Sequence, residues 1–120
     1  MDTYQLTDEK GNSEVLELIS NDGLVLKFQG KDSKINLRTW NDGSLRIYRE
    51  SGQVKVSIIL LVGEVTKMKI HDKSQNFDMD CSIRANKISL EDINQIEIAY
   101  DMLDCDKVID SISIKIGATK

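Results

Sequence analysis

The sequence predicts an all-β fold: a single-domain antiparallel meander of about nine strands, arranged as a sandwich or a closed or partly closed barrel. At most one or two short helical turns are expected. Three observations carry that expectation. Turn signals recur roughly every ten residues, at Lys10-Gly11-Asn12, Asn21-Asp22-Gly23, Gly30-Lys31-Asp32, Asn41-Asp42-Gly43 and Ser51-Gly52, the spacing of short hairpin-linked strands. Between them apolar and polar side chains alternate with period two, the mark of a sheet with one dry face and one wet face. Ile, Val and Leu dominate while Pro is absent, a composition that favours strands over helices.

Taken in order, Leu24, Leu26 and Phe28 share one face against Lys27 and Gln29. Ile35 and Leu37 oppose Lys34, Asn36 and Arg38, and Leu45 and Ile47 oppose Ser44, Arg46 and Tyr48. The Asp-Gly pairs at 22–23 and 42–43 suit the positive φ angles of tight hairpins. Val54, Val56 and Ile58 alternate cleanly, but the run Ile58 to Val62 is apolar at every position, as in a strand covered on both sides. Gly63 then permits a bend before Val65 to Ile70. Phe77, Met79, Cys81, Ile83 and Ala85 alternate against Asp78, Asp80, Ser82 and Arg84. Ser89, three residues ahead of Asp92, suggests one helical turn. Ile96, Ile98 and Tyr100, and finally Ile112, Ile114 and Ile116, restore the alternation.

With 120 residues, 40% hydrophobic and 30% charged, the chain has the size and composition of one globular domain, 1–120. The start lacks a basic segment followed by an apolar one, so no secretory leader is expected. The longest apolar run is too short for a membrane-spanning helix. No membrane association is expected, and the cytoplasm is the expected compartment. Two cysteines, Cys81 and Cys105, form no disulfide framework or zinc spacing. Cys81 reads as a small core residue, and the acids flanking Cys105 should dull its thiol.

The net charge of −4 argues against binding nucleic acid through its phosphates. Acids concentrate late in the chain: Glu91, Asp92, Glu97, Asp101, Asp104, Asp106 and Asp110 face a single base, Lys107. Calcium would suit such oxygen ligands, but the glycine and terminal Glu of a calcium loop are missing. Asp78 and Asp80 project from one strand face, though a solvated face explains them as well as a catalytic pair does. The single histidine, His71, stands beside Asp72 without a recognisable nucleophile. Neither a catalytic motif nor a cofactor or metal signature emerges, so no enzyme is expected, although motif silence leaves one open.

Two functions fit. The first is an inhibitor or immunity-type protein that neutralises a basic toxin, for instance a nuclease. Its partner-binding residues would be Asp78, Asp80, Glu97, Asp101, Asp104 and Asp106, with Trp40 and Tyr48 as exposed aromatic anchors beside Arg38. The second is a small barrel enclosing an apolar ligand, lined by Leu26, Phe28, Ile47, Val56, Ile58, Met79 and Ile114. Ile59 and Leu61, as a second apolar face, also leave room for a structural homo-oligomer.

Overall fold

A computed structural model describes residues 3–119. Ten strands follow one another: β1 (Thr3–Asp8), β2 (Ser13–Asn21), β3 (Val25–Gly30), β4 (Ser33–Thr39), β5 (Leu45–Ser51), β6 (Val54–Leu60), β7 (Val65–Asp72), β8 (Phe77–Ser89), β9 (Gln95–Asp104) and β10 (Lys107–Ala118). Each pairs antiparallel with its neighbours in sequence, and β1 pairs with β10, so the meander closes into a barrel. The all-β antiparallel expectation holds, and of its two architectures the barrel is the one formed.

Two details differ from the sequence reading. There are ten strands rather than about nine: alternation marks eight from Leu24 to Ile116, and Thr3–Asp8 and Ser13–Asn21 precede them as two separate strands. No described residue is helical. At Ser89–Asp92 the Asp92 carbonyl instead accepts from the Gln95 N–H at 2.9 Å, and its carboxylate accepts from the Asn94 N–H at 2.9 Å. That short turn satisfies the backbone without a helix.

Period-two alternation sorts the side chains as expected. Leu16, Phe28, Ile35, Leu37, Ile47, Leu60, Ile83, Ile98 and Ile116 all point inward and are buried. Tyr4 and Phe28 meet edge to face, with ring centroids 5.3 Å apart. The run Ile58 to Val62 is not covered on both sides. Ile58 and Leu60 are buried, Ile59 is half-buried on the outer wall, and Val62 is 57% exposed where the strand has ended. Leu24 likewise lies before β3 begins and is exposed.

The two rims of the barrel differ. One rim carries the β2/β3, β4/β5, β6/β7 and β8/β9 connections and the chain ends. The other carries the β1/β2, β3/β4, β5/β6, β7/β8 and β9/β10 turns. At this second rim, here called the mouth, inward positions become half-exposed or exposed: Val56, Ile70, Met102 and Ile112 are half-exposed, and Phe77 and Met79 are exposed. The β9/β10 hairpin closes through Cys105 and Asp106, both at positive φ (47° and 71°), the conformation of a two-residue primed turn. Every residue from Asp104 to Ser111 is exposed, so this hairpin tip stands clear of the barrel.

Near the mouth, Gly30 takes an inward position opposite Leu16. A Cβ there would lie 2.9 Å from Leu16 Cδ2 and 3.0 Å from Ser33 Oγ. The missing side chain leaves room for Ser33 to donate to Glu14 Oε2 at 2.7 Å inside the wall. Gly30→Val should therefore destabilise the protein by about 1–3 kcal/mol through overpacking, read as a lower urea midpoint with an unchanged slope.

Candidate functional site

Two recesses are built on opposite sides of the same strands. The inner one lies within the mouth. Its volume is about 230 Å³, and inward residues of β5–β7, β9 and β10 wall it, chiefly Val56, Ile58, Met68, Ile70, Met102 and Ile112. Only two of its lining residues carry strongly polar groups, Tyr100 and Arg49. Tyr100 is 4% exposed, and among the described residues its hydroxyl reaches only the Met68 thioether sulfur, at 3.9 Å. Sulfur is a weak acceptor, so that phenol is underused. Burial pushes the Tyr100 pKa from 10.0 up to about 12, with the nearby Arg49 charge pulling the other way.

Arg49 continues the inward series Leu45, Ile47. Its Nη2 donates to Glu14 Oε1 at 3.2 Å, and both side chains are about one-third exposed. Glu14, on β2, thus binds Ser33 of β4 and Arg49 of β5 at once, reaching across the short inner surface at Gly30. This arrangement leaves several guanidinium N–H donors of Arg49 for solvent or a ligand. Sequence reasoning missed Glu14, Arg49 and Tyr100. The signal was polarity on the apolar parity: Glu14 shares a face with Leu16, and Arg49 shares one with Ile47.

The outer recess is a groove of about 510 Å³ on the wall of β3–β7. Strand register lays its residues in rows. Lys27, Asn36, Tyr48, Ser57 and Lys69 are successive cross-strand partners, and Val25, Arg38, Arg46 and Ile59 form the adjacent row. Lys67 completes the lining, which contains five cations and no carboxylate. Arg38 and Arg46 face each other directly, a like-charge pairing that is unfavourable alone. Trp40 offsets it: the two guanidinium carbons lie 4.8 and 4.5 Å from its ring centroid, each contact worth about 0.5–1 kcal/mol at an exposed site. In the same turn, the Ser44 hydroxyl and N–H hold the Asp42 carboxyl below its ordinary range, with a smaller contribution from Arg46.

The residues expected to bind a basic partner do not form one patch. Asp101, Asp104 and Asp106 gather at the β9/β10 tip, where Asp101 accepts from the Ser111 hydroxyl at 2.8 Å. Glu97 sits toward the opposite rim and contacts Lys87, whose ammonium holds the Glu97 carboxyl low. Asp78 and Asp80 border the basic wall instead, opposite His71 and Lys69, with Asp78 contacting His71 Nδ1. Trp40 and Tyr48 belong to that basic wall, and the Tyr48 hydroxyl donates to Glu50 Oε2 at 3.0 Å. Of the residues expected to line a ligand cavity, Ile47, Val56, Ile58 and Ile114 do so. Phe28 is in the packed core, Leu26 packs against it, and Met79 is exposed at the rim.

Both cysteines are free thiols, Cys81 half-buried against the core and Cys105 exposed. Among the described residues no three His, Cys, Asp or Glu side chains are grouped to hold a metal ion. No described helix is long and apolar enough to cross a membrane. Comparison with known proteins returns nothing: no family model, no curated protein and no solved structure matches.

The buried phenol makes stability depend on pH in a defined window. Because the Tyr100 pKa is raised in the folded state, the unfolded chain loses that proton first. The contribution of this group is thus whole below pH 10 and falls as pH rises toward about 12. Tyr100→Phe should remove a part of the alkaline stability loss, on the order of 2–3 kcal/mol, in denaturant titrations compared at pH 9 and above 11.

Proposed function

We propose that the protein is a small non-catalytic binding module whose mouth cavity takes a small apolar molecule bearing one hydrogen-bond acceptor. The observation that carries this reading is an apolar recess inside the barrel containing a buried hydroxyl whose hydrogen-bond partner among the described residues is a thioether. Inside low-dielectric surroundings a phenol gains from a stronger acceptor than sulfur. Arg49, tethered by Glu14 at the same recess, supplies further donors for a carbonyl or carboxylate head. The walls supply the apolar contacts, and the methionines Met68 and Met102 can adapt to an irregular shape. Size bounds the ligand: an apolar protein cavity of about 150 Å³ accepts benzene, so a 230 Å³ recess fits one ring or a short acyl chain.

Native mass spectrometry of freshly purified protein, followed by titration with short fatty acids and single-ring aromatic carbonyls, tests this. The expected result is a one-to-one complex. Ile70→Trp, which fills the recess, should abolish it, and Tyr100→Phe should weaken it about 2- to 10-fold by loss of one hydrogen bond. Absence of bound or captured ligand under several expression conditions would reject the reading.

A second reading, inhibition of a basic protein partner such as a toxin, draws support from the β9/β10 tip. There Asp101, Asp104 and Asp106 stand beside Val108 and Ile109, which are 53% and 60% exposed. An acidic, projecting hairpin with an apolar shoulder suits a cationic surface, with association steered by charge. Under this reading Asp101→Asn/Asp104→Asn/Asp106→Asn leaves the fold intact and releases a co-purifying basic protein that wild-type protein retains at low salt. Equal retention by both proteins would exclude the tip as the binding element.

A further inference from the structure

The basic outer groove opens on the other side of β5 and β6 from the mouth cavity, and neither reading above uses its cations. Its five cations, Lys27, Arg38, Arg46, Lys67 and Lys69, lie on one wall of a chain that nets −4. None of the five makes an ion pair among the described residues, whereas Arg49, Lys73 and Lys87 each find a carboxylate. Two of them, Arg38 and Arg46, are held face to face against Trp40. A cleft lined by one sign of charge focuses its field and concentrates ions of the opposite sign.

We infer that this groove binds single-stranded nucleic acid. Charge complementarity selects an anion, and the arrangement between the charges selects this one. Lys27 and Lys69 lie at the two ends of one row, four inter-strand steps apart, about 19 Å at the usual strand spacing. That span accommodates several backbone phosphates rather than one isolated anion. Between the lysines lie Tyr48, offering an aromatic face, and Asn36 and Ser57, offering donors and acceptors to base edges. Val25 and Ile59 floor the adjacent row. A cationic track beside stacking and apolar surface is the general design for holding an unpaired strand. An acidic peptide would use the cations but leave the ring and apolar floor without a counterpart. The chain's negative total bears on long-range attraction; the groove lining itself contains no acid, and Asp78 and Asp80 border it only at its β7 edge, beside Lys69.

Binding can be measured by anisotropy of a labelled oligothymidylate of about 12 nucleotides, within the ~4–16 nucleotide range of single barrel modules. Trp40, the only tryptophan, reports from the protein side. The wild type should bind at about 50 mM salt, shift the Trp40 emission, and weaken linearly in log–log form toward about 200 mM. Lys67→Gln/Lys69→Gln, both at exposed positions, should reduce the salt slope by about 1.4, or 0.7 per lost phosphate contact. Tyr48→Phe, which keeps the ring and loses the hydroxyl, should bind as wild type, while Tyr48→Leu should lose about fivefold or more. Thermal melts of each variant confirm that it is folded. No binding at low salt, unchanged binding by the lysine double variant, equal affinity for a duplex of the same length, or displacement by polyglutamate at equal charge would each overturn the assignment.

Discussion

The pairing of β1 with β10 is the constraint on which the rest of this structure depends. Five residue pairs from Tyr4–Ala118 to Asp8–Ile114 convert a curled sheet into a ring. Closure removes both edges, which a proline-free chain has few other means to protect. It also turns the two faces of every strand into an inside and an outside. Once that is set, a one-residue slip anywhere would move a whole strand's apolar set into water. The three register shifts, at Leu18/Ser20, Ala85/Lys87 and Val108/Asp110, are local bulges that add bend while leaving the surrounding strands in step.

Inside and outside were legible in the sequence because they follow from period two alone. Ile35 and Leu37 against Lys34, Asn36 and Arg38 appear in the barrel as read. Closure was legible only as one of two architectures, since nothing local to Thr3–Asp8 or to Lys107–Ala118 marks them as partners across the whole chain. The β9/β10 turn was obscured for a different reason: Cys105 and Asp106 occupy the positive-φ positions where Asn-Gly would announce a hairpin. The candidate sites were half legible. Val56, Ile58 and Ile114 were placed in the interior by alternation, but Glu14 and Arg49 read as ordinary charges because their inward parity was not followed to the strand ends. Lys27, Arg38 and Arg46 were assigned to the wet face, yet their convergence needed the register of five strands.

Charge illustrates how a linear count and a folded distribution diverge. Along the sequence the acidic excess looks like one block from Glu91 to Asp110. Folding divides it: Glu97 is engaged by Lys87 toward one rim, and Asp101, Asp104 and Asp106 cluster at a hairpin beyond the other. Meanwhile cations spaced from Lys27 to Lys69 are collected onto a single wall. β5 and β6 serve both recesses, presenting Ile47, Arg49, Val56 and Ile58 inward and Arg46, Tyr48, Ser57 and Ile59 outward. Alternate residues of one strand therefore address different surfaces, one sheet thickness apart.

The seam between β1 and β10 also shapes how the chain reaches its fold. A nascent chain carrying only β1 to β9 can form nine hairpin-linked strands in order, since each neighbour is local, but it keeps two unpaired edges. β1 must wait until the final strand emerges before its second partner exists, a contact separated by more than 100 residues (Tyr4 to Ala118 spans 114). Such a step is slow compared with local pairing because most of the chain must first be confined. During that interval the exposed edges are the surfaces through which unfinished copies would join each other. Chaperone access therefore matters most at the stage when β1 and β9 still present open edges.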